Sequence, residues 1–148
     1  MRRFRLLPLV SLALVLSCAT ADPYGDVRRE YDAGILMVGV GDAAENAGED
    51  TARRKAASLA RRELAEQIRV RIEKLMLADF CSGSSGGEAC RSRVARVVKT
   101  AADESLVNAT ISRYGKRDGN IFAVAVMERD EINAVSSRVR AVLAKQAR

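Results

Sequence analysis

One stretch constrains this chain more than any other. From about Asp50 to Asp79 it runs without a glycine or proline, rich in alanine, leucine and oppositely charged pairs. At 100° per residue, Ala57, Ala60, Leu64, Ile68, Ile72 and Leu75 fall on one side, and Lys55, Arg62, Glu66, Arg69 and Glu73 on the other. Glu49–Arg53, Asp50–Arg54, Arg62–Glu66 and Arg69–Glu73 are spaced i, i+4, and such pairs add a few tenths of a kcal/mol each. The spacing predicts one helix of roughly 45 Å, long for a small domain. Its apolar side is alanine in the first half and branched aliphatic in the second. The start can therefore lie close to a sheet, while the end needs more room. Arg61 falls near the apolar side and must snorkel. A second, thinner stripe of Ala52, Ala56, Leu59, Val70 and Leu77 predicts contact with another helix or another subunit. Leu59, Val70 and Leu77 are its candidate interaction face.

A helix this long must be covered by the rest of a 148-residue chain, enough for one domain with one core. The N-terminus is not part of that cover. MRRFRLLPLVSLALVLSCA has a basic start (Arg2, Arg3, Arg5), an apolar run from Leu6 to Leu16, then small residues. That is the pattern of a secretory signal, residues 1–17, with the wrong flanks and length for a membrane span. Val15-Leu16-Ser17-Cys18 resembles the bacterial lipobox, in which the cysteine thiol becomes a thioether to diacylglycerol and the freed amine is acylated. Three acyl chains, at about 0.8 kcal/mol per buried methylene, hold a protein at a membrane almost permanently. The alternative is an ordinary secreted protein cut after Ala19 or Ala21. Cleavage before Cys18 takes three of the 25 basic residues and no acid, leaving 22 against 19 and a net charge near +3. So small a charge argues against nucleic acid as a partner.

Residues 18–32 read as a polar, lipidated tether, and 33–148 as a single α+β domain. Ile35 to Val40 is a short aliphatic run suited to a buried strand, with Gly41, Asp42 and Gly48 turning into the long helix. After Asp79, CSGSSGGEAC is a Gly/Ser loop between Cys81 and Cys90. In an oxidising periplasm a disulfide there closes the loop and stabilises by roughly 2–3 kcal/mol; free thiols are the alternative. With no histidine and no third available cysteine, a zinc site is not expected. Glu88 to about Leu106 has helical spacing at Val94, Val97, Val98, Ala101 and Ala102. Its basic residues, Arg91, Arg93, Arg96 and Lys99, read as a solvated face, since Asp103 and Glu104 follow at once; the alternative is a patch for an anionic partner such as lipid headgroups or peptidoglycan. Val107 to Tyr114 alternates like a strand, Asp118-Gly119 signals a hairpin, and Ile121 to Met127 is apolar on both faces. A closing helix follows, with Ile132, Val135, Val139 and Val142 on one face. These elements predict a three-stranded mixed sheet in order 1-3-2, the doubly apolar third strand in the middle, with the helices on one face.

Gly39-Val40-Gly41-Asp42-Ala43-Ala44 fits G-x-G-x-x-A, the dinucleotide fingerprint. The helix continues through the point where a second strand should end in an acid, so the glycines are better explained by crowding where strand meets helix. No histidine is present to serve a nucleophilic triad. Asp103-Glu104 and Asp130-Glu131 are adjacent in helical segments and diverge. No catalytic residue, cofactor or metal is expected.

The GVGDA before the long helix, the A-x-x-x-A-A-x-x-A-x-x-E-L-A run from Ala52 to Ala65, and IFAVAVM after the hairpin resemble the Lpp twenty-kilodalton lipoprotein family. The likeness runs from about Ile35 to Leu143, apart from the cysteine-bracketed insertion. It implies a non-enzymatic, structural or assembly role in the bacterial envelope. Some members look like accessory domains of flagellar envelope rings. The expected setting is the outer membrane, through the lipid on Cys18, with the domain facing the periplasm and contacting itself or other envelope proteins. The alternative function is a periplasmic module binding a lipid or glycan in a cleft between helix and sheet.

Overall fold

The long helix outruns any strand that could cover it. In the computed structural model, which describes residues 22–31, 35–82 and 87–146, α2 spans Glu49–Phe80, 32 residues, or about 48 Å. The strands reach nine residues, about 30 Å. The excess is covered by two further helices, α3 (Glu88–Ser105) and α4 (Arg129–Gln146). Before α2 come a short helix α1 (Gly25–Tyr31), strand β1 (Leu36–Ala44) and a 3-10 turn at Glu45–Ala47. Strands β2 (Thr110–Arg117) and β3 (Asn120–Glu128) lie between α3 and α4.

The fold is α+β, and the sheet order is β1-β3-β2, as the doubly apolar third strand requires. Both pairings are antiparallel, not mixed. β1 and β2 do run parallel, but β3 returns through the hairpin and lies between them, so it opposes each neighbour. Asp118 and Gly119 both take positive φ, 50° and 75°, in the hairpin turn.

β1 is longer than expected, because Gly41 and Asp42 continue the strand rather than turning out of it. The two backbones meet there. A Cβ on Gly39 would stand 2.2 Å from the Ala60 carbonyl oxygen, and one on Gly41 2.3 Å from the Ala60 nitrogen. Paired with Ala56, Ala57 and Ala60 on α2, all buried, the glycines let the helix lie against the strand with almost nothing between.

The apolar line along α2 winds. Ala52, Ala56, Ala60, Leu64, Ile68, Ile72 and Met76 are all buried, every fourth residue over six intervals. Against 3.6 residues per turn that spacing drifts about 40° per step, so the buried line migrates round the helix from the sheet towards α3 and α4. Leu75, expected on the core side, is therefore 48% exposed, and Met76 takes its place. The same offset on α4 buries Leu143 in place of Val142. Val107 is not in a strand; it lies in a 3-10 turn (Leu106–Asn108) and is 90% exposed.

The helices do not all lie on one face. α2, α3 and α4 share the core with Ala43, Ile121, Ala123, Ala125 and Met127. On the opposite face Val27 of α1 and Tyr24, just before it, pack against Val40, Phe122 and Val124. Part of the expected tether, from Asp22 to Tyr31, is thus folded against the sheet.

Candidate functional site

β1 is an edge strand, and unpaired edge groups invite another chain. Here the middle of the edge, at Val38 and Val40, is taken by side chains. Glu63 on α2 accepts a hydrogen bond from the Val40 N–H at 2.6 Å, and Gln67 donates to the Val38 carbonyl at 3.0 Å. Arg28 on α1 bridges to Glu63 at 2.9 Å and to Asp22 at 2.7 Å. Burial works against the Arg28 charge, but the hydrogen bonds to Glu63 and Asp22 more than offset it and raise its pKa. Immediately before the buried Leu64 on α2, Glu63 thus joins helix, edge strand and α1.

α1 is held by polar ties as well as by its apolar residues. Arg117 pairs with Asp26 at 2.7 Å and lies 5.2 Å from the Tyr24 ring centroid. The hydrogen bond from Arg117 pulls the Asp26 carboxyl down to about 2. Arg113 pairs with Glu30 at 2.8 Å and lies over the Tyr31 and Phe122 rings. Tyr24 meets Phe122 at 5.4 Å between centroids, and burial raises the Tyr24 pKa.

Beside this edge lies a cleft of about 320 Å³, where Arg28, Arg29, Arg71 and Arg129 meet around Leu36, Val38 and Gln67. Among the described residues no carboxylate lines it, and Arg29, Arg71 and Arg129 make no ion pair. All three are exposed. Arg129 is placed by its own backbone, whose N–H donates to the Ile35 carbonyl at 2.8 Å. With Arg28 tied to Glu63 and Asp22, the three guanidinium groups of Arg29, Arg71 and Arg129, carried on α1, α2 and the start of α4, can hold an anion through paired N–H donors.

The residues singled out from the sequence lie elsewhere. Cys18, with the signal segment 1–17, is outside the described residues. Cys81 and Cys90 are bridged, their Cα atoms 5.9 Å apart, joining the end of α2 to the start of α3. Leu59, Val70 and Leu77 do not form one open face. Leu77 packs on the core, Leu59 is half-buried, and Val70 is 56% exposed. The three lie within about 20° of one another round α2, but the buried line winds along the helix, taking in Ala52 and Ala56 near its start and Leu77 near its end. The dispersed acids have their own roles: Asp103 pairs with Lys99 at 2.6 Å. Among the described residues no three His, Cys, Asp or Glu side chains gather to hold a metal, and no helix is long and apolar enough to cross a membrane.

The arginine cleft went unread in the sequence because its residues are scattered from position 28 to 129. α1 did leave a trace, in Tyr24, Val27 and Tyr31 at spacings of three and four. No protein-family model matches this chain, and a search of curated proteins found no match.

Proposed function

We propose that this chain is a lipid-anchored protein of the bacterial cell envelope, held at the periplasmic side of the outer membrane. Its role is structural or in assembly, through contacts with itself or other envelope proteins, and it uses no catalytic residue or cofactor. The observation that carries the reading is Val15-Leu16-Ser17-Cys18 closing a basic-then-apolar leader. The likeness to the Lpp twenty-kilodalton lipoprotein family, from GVGDA and the alanine run, supports the same reading. Cys18→Ser should leave an unprocessed precursor that takes up no radioactive palmitate, while the wild-type protein is processed and labelled. Labelling of the mutant, or none of the wild type, would sink the reading. Gel filtration of the signal-free chain tests self-association.

A second reading, a periplasmic ligand-binding module, is favoured by one observation. A groove of about 520 Å³ runs between α3 and α4, with Val97, Ala101 and Val142 in it and Arg93, Arg96 and Arg138 at its rim. The expected cleft between α2 and the sheet is closed where Gly39 and Gly41 touch Ala60. A thermal-shift screen against envelope glycans and lipids separates the two readings, since only a binding module rises in Tm with one of them.

A further inference from the structure

We propose that the arginine cleft at the open end of β1 receives the phosphate of a lipid headgroup and docks the α1 side of the domain on a membrane surface. The choice of a lipid as the phosphate's source rests on the anchor reading above; the cleft's preference for an anion does not.

The cleft's charge is unbalanced and its shape is set by the fold. Arg28 is fixed by Glu63 and Asp22, leaving the charges of Arg29, Arg71 and Arg129 unpaired among the described residues. They come from three separate elements, so the arrangement belongs to the scaffold and not to a run of basic residues on one helix. Guanidinium forks suit phosphate oxygens, which accept two parallel N–H donors. The groove between α2 and α3 also carries several basic residues, but its Arg69 and Lys99 are tied to Glu66 and Asp103.

Reach selects the source. Asp22 bonds Arg28 at 2.7 Å, so the fold meets the cleft only four residues after Cys18. Four residues span at most about 14 Å, and the screening length in physiological salt is about 8 Å. A domain anchored at Cys18 keeps this cleft within or near the headgroup layer at all times. Juxtamembrane arginines draw a protein to anionic lipid, each strengthening the partition by roughly fivefold.

The test uses the chain from Ala19 onward, oxidised and without a lipid, sedimented with vesicles of phosphatidylglycerol in phosphatidylcholine or of phosphatidylcholine alone. The protein should bind the anionic vesicles and not the neutral ones. R29Q/R71Q/R129Q should weaken that partition by about a hundredfold with an unchanged circular dichroism spectrum. R91Q/R93Q/R96Q on α3 removes the same formal charge and should leave most of the binding. No preference for anionic vesicles, or equal loss in both triple variants, overturns the proposal. Stabilisation by inorganic phosphate or pyrophosphate that is lost in R29Q/R71Q/R129Q, without vesicle binding, marks a soluble phosphate ligand and overturns the lipid assignment. Cys18 plays no part in this experiment, so a failure of palmitate labelling beside positive vesicle binding counts against the anchor alone.

Discussion

The two faces of the sheet are built on different principles. On the α2 face, backbone meets backbone: Gly39 and Gly41 admit the Ala56–Ala60 segment so closely that no side chain could be added. Aliphatic residues from α2, α3, α4 and two strands complete that core. On the α1 face, seven residues of helix are held by a few rings and by ion pairs open to solvent. Exposed ion pairs contribute little each, and a short helix has no independent stability. The α2 face carries the fold, and the α1 face is a cover that can be altered separately. The arginine cleft opens beside that cover.

Adding one methyl group to each face breaks the comparison most sharply. Gly41→Ala drives a Cβ into the Ala60 backbone, which cannot move without the whole helix, and should cost about 3 kcal/mol or more. Gly115→Ala on the other face meets the Phe122 ring instead, with the nearest atom at 2.3 Å. A ring can tilt, so a cost nearer 1–2 kcal/mol is expected. Urea denaturation of both variants measures the difference, and equal costs would erase it.

Next in size is the release of α1. Val27 is 2% exposed, and Val27→Asp places a charge among Tyr24, Val40 and Phe122 without touching the other core. Far-UV circular dichroism should lose at most the signal of α1, while the near-UV tyrosine signal falls. Complete unfolding would show that the two faces form one cooperative unit.

The smallest effect is a pH response. The Asp26 carboxyl titrates near 2 in the folded chain and near 3.9 when unfolded. Its pairing with Arg117 therefore contributes fully above about pH 4 and is lost as the pH falls through 2. The tyrosine signal from the α1 face should change across that window, and Asp26→Asn should remove that part of the change.

The sequence disclosed the elements whose signals repeat. α2 has many turns of pattern, Asp118-Gly119 marks the hairpin, and Ile121–Met127 is apolar on both faces, which placed β3 in the middle. It hid what depends on partners. α1 offers three apolar points, too few to establish a period, and it becomes a helix only against Phe122 and Val40. Crowding between strand and helix was legible in Gly39 and Gly41, but Gly41 and Asp42 still resembled a turn, because the partner, Ala60, lies on another element. The interaction stripe of Leu59, Val70 and Leu77 assumed a straight apolar seam, whereas a four-residue repeat winds. The arginine cleft is assembled from positions that no local pattern links.

Hydrogen exchange on the oxidised chain tests the division between the faces most directly. Amides of α1 should exchange through local opening, well before those of β3 and the Ala56–Ile68 segment of α2, which should exchange only with global unfolding. Equal protection of α1 and β3 would contradict it, and would make the short helix as much a part of the fold as the long one.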